Sequence, residues 1–270
     1  MISQHTYNYL YDYIINLQSQ GIYSFSRKEL IETFKISNEA LAMSINRLAK
    51  KRKIAIVRKE FYVIIPPEYL ERRILPPALF IDDLMRFLKR DYYVSLLSAA
   101  IYHGGTHQQP QEFYVSTPYP YMKETRANGI VIHYIPKKKL IQPGIEKQKT
   151  DTGYINISCP ELTAIDLVQN CNKIGGLERA AYLLNEMAEN TSPARLKKIA
   201  EKAPNMSALQ RLGYIYDKVL HIKKLSDTIK KILSRKNSGY VVLSSKHPII
   251  KDNIDPDWKI MVNTNIEIEL

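Results

Sequence analysis

Cysteine is scarce in this sequence, with only Cys159 and Cys171 among 270 residues. Their spacing forms neither a Cys-x-x-Cys redox pair nor a zinc-ligand set, which excludes a disulfide framework and a zinc-organised fold. Two free, buried thiols in a reducing cytoplasm are expected. Long apolar runs are missing as well. The longest, Val94 to Tyr102, is interrupted by serine and is far shorter than the roughly 18 residues of a membrane span. The opening residues lack a cationic segment followed by an apolar one, so no secretory signal is expected. Glycine-rich phosphate loops and local Ser/His/Asp arrangements are also absent, and no cofactor is expected. Acidic residues are in the minority: 27 Asp and Glu against 39 Lys and Arg, a net charge of +12. That excess favours a polyanionic partner through non-specific attraction. With 45% hydrophobic residues the chain can build a core, and its length suits two domains.

What is present begins with a helical period. Tyr7, Leu10, Tyr11, Ile14, Ile15 and Leu17 recur on one helix face, with Gly21 as its stop. Ser26, three residues before Glu29, has capping-box spacing and opens a second helix with Leu30, Ile31 and Phe34 as its apolar side. After a turn over Lys35 to Ser37, Ser37 opens a third helix whose buried stripe is Leu41, Ile45 and Leu48. Two β-rich runs follow, Ile54 to Val57 and Phe61 to Ile65, joined by Arg58-Lys59-Glu60. Three short helices followed by a two-stranded hairpin is the element order of a winged helix-turn-helix, assigned to residues 1–66.

The stripe Leu41/Ile45/Leu48 fixes the opposite face of the third helix: Asn38, Glu39, Met43, Asn46, Arg47 and Lys50. Asn and Arg suit bidentate contacts to base edges in a major groove, which points to Asn38, Asn46 and Arg47, and Met43 suits a thymine methyl. Ser37 and the first turn offer hydroxyl and N–H groups to a phosphate. Arg47, Lys50, Lys51, Arg52, Lys53, Arg58 and Lys59 then run without an acidic residue until Glu60. The cluster covers the helix end and the hairpin tip, where backbone phosphates of double-stranded DNA would meet it.

Residues 67–90 read as a Pro-rich connector with a short amphipathic helix near Ile81 to Leu88, and 91–270 as a larger mixed α/β domain, an α+β protein overall. A helix is expected from Asp91 to Tyr102, strands at Phe113 to Thr117, Gly129 to Ile135 and Tyr154 to Ser158, then helices from Pro160 to about Ser234. A further strand is expected at Tyr240 to Ser244, and an extended tail from Ile260. Three groups invite chemical readings. His103 and His107 have metal-compatible spacing, but Gly104-Gly105 ends the helix between them and no third ligand is near. Asp255, Asp257 and Lys259 have the residue types of a metal-dependent nuclease, which a winged helix could target. Ser158-Cys-Pro-Glu161 reads as a helix start rather than a nucleophile.

Five segments carry a resemblance. They are Tyr93-Val-Ser-Leu-Leu-Ser-Ala-Ala-Ile-Tyr-His-Gly104, Phe113-Tyr-Val-Ser-Thr-Pro118, Ser158-Cys-Pro-Glu-Leu-Thr-Ala-Ile-Asp-Leu-Val168, Arg211-Leu-Gly-Tyr214 and Asn263-Thr-Asn-Ile-Glu-Ile-Glu-Leu270. In that order, behind an N-terminal winged helix, the chain resembles the AbiEi-type antitoxins of bacterial abortive-infection (type IV toxin–antitoxin) systems of phage defence. The resemblance implies a transcriptional regulator without catalytic activity that binds inverted-repeat operator DNA and represses its own operon. It further implies a C-terminal antitoxin domain that counteracts a nucleotidyltransferase-like toxin without a stable complex. Two copies would pair on the operator, as a dimer or cooperatively. Sequestration of the toxin by direct binding is the competing reading.

Overall fold

The structure, a computed structural model, describes residues 3–105, 111–250 and 252–268. The chain starts with α1 (Ser3–Ser19), β1 (Ser24–Ser26), α2 (Arg27–Phe34), α3 (Asn38–Lys50), β2 (Ile54–Arg58), β3 (Phe61–Ile64) and α4 (Ile81–Phe87). Then come β4 (Tyr93–Val94), α5 (Leu96–Ala100), β5 (Glu112–Pro118), β6 (Thr125–Ala127), β7 (Ile130–Lys137), β8 (Ile145–Thr150) and β9 (Gly153–Ser158). A helical stretch follows: α6 (Pro160–Gln169), α7 (Leu177–Glu186), α8 (Pro193–Ala200), α9 (Met206–Tyr214) and α10 (Lys223–Leu233). Short strands β10 (Val241–Val242), β11 (Ile254–Asp255) and β12 (Ile260–Met261) end the described chain. The result is a mixed α+β protein.

Contacts divide it into two compact units. The first comprises Met1–Tyr92, Gln111–Lys138 and Lys147–Asn156, and the second Tyr93–Pro110, Lys139–Glu146 and Ile157–Leu270. Residues 1–66 therefore share the first unit with residues 67–92 and with two later insertions.

In the first unit, α1, α2 and α3 surround their own core of Leu10, Ile14, Leu30, Leu41, Ile45 and Leu48. A three-stranded antiparallel sheet in the order β1-β3-β2 closes it, with Phe25, Ile54, Tyr62 and Ile64 in the same core. The local chemistry matches each boundary. Ser26 and Glu29 complete a capping box at the start of α2, and Lys35, in a left-handed conformation, ends that helix. Ser37 accepts the N–H of Ala40 at 3.2 Å and so caps α3, a bond of about 1 kcal/mol in helices generally. Further along, β5 runs parallel to β7 and β6 antiparallel to it. Buried Val115, Ile132 and Tyr134 give these strands their apolar side.

The second unit packs α6 through α10 around Leu162, Ile165, Leu184, Leu196, Leu212 and Trp258. The expected single helix from Asp91 to Tyr102 is corrected. Tyr93–Val94 is a strand, with Val94 paired in parallel to Ile157, and Leu96, at φ 51, starts α5 only afterwards. Serine and alanine in this run carry helical spacing, but the strand pairing and a hydrogen bond from Tyr93 to Asp166 decide the first two residues. The strand expected over Tyr240 to Ser244 shortens to β10, and among the described residues the extended tail keeps strand pairing at β12. A π-helical turn, Ile215–Val219, follows α9.

Candidate nucleic-acid interface

The α3 helix separates its faces cleanly. Leu41, Ser44, Ile45 and Leu48 are buried, whereas Asn38, Glu39, Met43, Asn46, Arg47 and Lys50 are exposed. Met43 keeps 57% of its surface accessible on an otherwise polar face. Ser37 is exposed too, with its Oγ committed to the Ala40 N–H. At the far end, Lys51 N–H reaches Arg47 O and Lys53 N–H reaches Leu48 O, both at 3.0 Å. Arg52 between them has φ 57. This is a Schellman-type stop in which arginine occupies the left-handed position that glycine holds at least cost.

The seven cations of the basic run have different surroundings. Lys50, Lys51, Arg52 and Lys59 are exposed. The Lys53 ammonium is half-buried and stands 6.0 Å from the centre of the Tyr11 ring, at the edge of cation–π range. Arg58 turns inward: its Nη1 donates to Thr125 Oγ1 at 2.9 Å, and that hydroxyl lies 3.0 Å from Tyr134 Oη. Arg58 is thus a structural clamp between β2 and β6. In the hairpin tip, Glu60 has φ 64 and its carbonyl accepts the Arg27 N–H at 2.9 Å.

One group that sequence reasoning did not find belongs to this site. Arg27 Nη2 donates to Asn38 Oδ1 at 3.1 Å and to the Asn38 carbonyl at 3.2 Å. Because a guanidinium only donates, Asn38 must turn its oxygen toward Arg27, leaving its amide N–H groups for an outside acceptor. Burial raises the Tyr62 hydroxyl pKa, and the Arg27 charge works against that rise. Nothing local in the sequence marks Arg27, since the contact links the start of α2 to the start of α3.

The chemical alternatives find their groups occupied. Asp255 Oδ1 accepts the Trp258 N–H at 2.9 Å, Asp257 Oδ1 accepts from Lys230 at 2.8 Å, and Lys259 donates to Ser238 O at 2.9 Å. His103 Nε2 lies 2.6 Å from the carbonyl of Ser158, burial depresses its pKa, and His107 lies outside the described residues. Among the described residues no group of three or more His, Cys, Asp or Glu could hold a metal ion. Cys159 precedes α6 as expected for a helix start, and burial pushes its thiol up to about 12, far from a thiolate nucleophile. Cys171 is free and half-buried rather than fully buried.

Residues of the quoted motifs find their partners within the second unit. Tyr93 Oη donates to Asp166 Oδ2 at 2.8 Å, and Ser158 Oγ lies 2.6 Å from Thr163 Oγ1. Arg211 Nε donates to Val242 O at 3.0 Å, and Asn263 brackets Ser244, accepting its N–H at 2.9 Å and donating to its carbonyl at 2.8 Å. These bonds hold the fold of the second unit. No helix among the described residues is long and apolar enough to cross a membrane.

Comparison with known proteins agrees with this architecture. The crystal structure of the RV2827C protein from Mycobacterium tuberculosis superposes with a TM-score of 0.62 at 14% identity, covering 92% of this chain and 88% of that one. At that identity the likeness is one of fold. No curated protein matches the chain. The family described as AbiEi antitoxin C-terminal domain matches residues 93–218, from β4 through the π-helical turn that follows α9. Residues 93–218 are therefore similar to the AbiEi antitoxin C-terminal domain.

Proposed function

We propose that residues 1–66 form a winged helix-turn-helix that binds inverted-repeat operator DNA, and that the chain is an antitoxin that represses its own operon. The observation that carries this is the division of α3: a buried stripe of Leu41, Ile45 and Leu48 against an exposed face of Asn38, Met43, Asn46, Arg47 and Lys50. Such a helix, capped by Ser37 and backed by its own small core, can enter a major groove as a rigid unit. Asn46 and Arg47 read base edges, Asn38 donates to an acceptor from its held amide, and Met43 meets a thymine methyl. Ser37 and the first-turn N–H groups, Lys50, Lys51, Arg52, Lys53 and Lys59 face phosphates. Arg58 supports the hairpin from behind, and two copies occupy the two half-sites.

The antitoxin role rests on the AbiEi match and carries no catalytic step. The toxin it opposes is a nucleotidyltransferase-like protein, and the opposition is indirect. Supplied in trans, the chain should silence a reporter driven by the DNA upstream of its own gene, and Arg47→Ala with Lys50→Ala should restore expression. A reporter indifferent to the wild-type chain retires the repressor. Growth rescue from the co-expressed toxin without co-purification supports indirect antitoxicity, whereas a stable complex assigns sequestration instead.

A further inference from the structure

The three helices that open the first unit leave a hollow beside their shared core. Leu10 of α1 and Leu41 of α3 line it from the core side, only 3% and 0% exposed. Phe34, at the end of α2, and Ile36, in the turn before α3, add half-buried apolar walls. The Tyr9 ring stands at the mouth, 61% exposed. The hollow has a volume of about 300 Å³, at the lower end of the range of small-molecule pockets.

The lining selects a class of ligand. It holds no charged side chain, so an ion entering would lose its hydration with nothing to pair with. The Phe34 ring is held edge-on by Tyr13, centroids 5.4 Å apart at 78°, and so presents a fixed aromatic wall. Thr33 Oγ1 is committed to the Glu29 carbonyl at 2.8 Å. Ser44 is different: it lines the hollow from α3, is 5% exposed, and has no side-chain hydrogen bond among the described residues. A hydroxyl buried without a partner is costly, and a ligand offering one hydrogen bond relieves that cost. An unfilled apolar void also denies its walls their dispersion contacts. Next to the lining in sequence, Glu32, Lys35 and Glu39 are exposed charges that interrupt the apolar surface. A stable protein interface instead needs roughly 800 Å² per partner.

We propose that this hollow binds a small, uncharged aromatic molecule, its ring against Phe34 and Tyr9 and its one hydrogen-bonding group on Ser44 Oγ. Occupancy bears directly on α3. Leu41 and Ser44 lie on the buried side of that helix, and Ile36 lies in the turn that leads into it, so a ligand here packs α3 against α1 and α2. On the reading of α3 proposed above, ligand and operator then bind with linked free energies, each changing the other's affinity by the same factor. The binding site itself does not rest on that reading.

Saturation-transfer NMR of indole with the purified full chain tests the site, beside thermal melts followed by circular dichroism. Indole is uncharged, aromatic and carries one N–H donor. Saturable transfer and a raised melting midpoint are expected. Ser44→Leu fills the void and should abolish both. Ser44→Ala keeps the space but removes the hydroxyl, and should weaken binding by about fivefold, the worth of one net hydrogen bond. Tyr9→Ala changes only the exposed mouth and should also weaken binding, which keeps the test decisive where Ser44→Leu lowers the midpoint. No transfer with the wild-type chain overturns the proposal, and so does transfer unchanged across the variants. Self-association of the wild-type chain in sedimentation, lost in Ser44→Leu, overturns it too, by assigning the hollow to a second copy. Anisotropy on the promoter fragment reads the linkage. A change in operator affinity of about fivefold or more with indole, absent in Ser44→Leu, supports it. Unchanged affinity with the hollow saturated overturns it. Indole binding by a chain that binds no operator upholds the site and retires the reading of α3.

Discussion

Arg27, at the first residue of α2, grips both oxygens of Asn38, at the first residue of α3, at 3.1 and 3.2 Å. The contact ties the two helices at the point where the proposed recognition helix begins. Arg27→Ala removes a charge-assisted hydrogen bond and frees the Asn38 amide to rotate. The expected cost is on the order of 1 kcal/mol, about fivefold in operator affinity. The loss should fall on the operator more than on a scrambled fragment, since Arg27 positions a reader. Equal loss on both fragments in an anisotropy titration would make Arg27 an ordinary phosphate contact.

Arg52 separates charge from fold. At φ 57 it occupies a conformation that costs an L-residue roughly 1 kcal/mol relative to glycine. Arg52→Gly should therefore keep or raise the thermal midpoint while reducing the DNA salt slope by roughly 0.9. A lower midpoint would show that the arginine side chain, and not its charge alone, holds the end of α3.

Gly213 lies under the indole of Trp258. A Cβ on Gly213 would stand 2.0 Å from the ring's Cζ3, too close for any side chain without displacement. Trp258 is 2% exposed and is the protein's one tryptophan, so its fluorescence reports on this packing. Gly213→Ala should destabilise the second unit by about 3 kcal/mol or more, seen as an earlier urea transition in tryptophan emission. A transition at the wild-type midpoint would contradict the packing.

The same tryptophan reports on a carboxylate. Trp258 Nε1 donates to Asp217 Oδ2 at 3.1 Å, beside Lys223 and Lys218. Burial works against the charge of Asp217, but hydrogen bonds from Lys223, Trp258 and Lys218 outweigh it and hold the carboxyl at about 2. Because the folded value lies below the unfolded one, the contribution is fully present above about pH 4. It is lost as the pH falls toward about 2, and amounts to roughly 1–2 kcal/mol. Acid titration of Trp258 emission should show this loss, and Asp217→Asn, already less stable near neutral pH, should flatten it. An unchanged acid transition in the variant would remove Asp217 from the account.

Sequence pattern reached furthest where local chemistry decides. The Ser26–Glu29 capping box, the Ser37 cap, the Leu41/Ile45/Leu48 stripe and the Pro160 helix start are all in the structure as read. Tertiary pairing decided the rest. Tyr93–Val94 became a strand because Val94 meets Ile157, a partner far along the chain. The charged β8 (Ile145–Thr150) and the short β6 carry no strong strand signal in the sequence and emerge only from the fold. Within the candidate interface, the exposed face of α3 was legible from its period. The inward turn of Arg58 to Thr125 and the grip of Arg27 on Asn38 were not, since both bring together residues from separate elements. Asp255, Asp257 and Lys259 illustrate the converse. As a string they suggest metal chemistry, but in the fold Asp255 accepts the Trp258 N–H, Asp257 pairs with Lys230 of α10 and Lys259 holds the Ser238 carbonyl.

The most direct measurement is fluorescence anisotropy of the purified chain on its own upstream promoter fragment and on a scrambled fragment, across a salt series. The account predicts a promoter preference of roughly a thousandfold at physiological salt. It also predicts that Arg47→Ala with Lys50→Ala abolishes most of that preference while the melting temperature holds. Equal binding to both fragments, or a preference untouched by the double substitution, would contradict the assignment of α3 as the element that reads DNA.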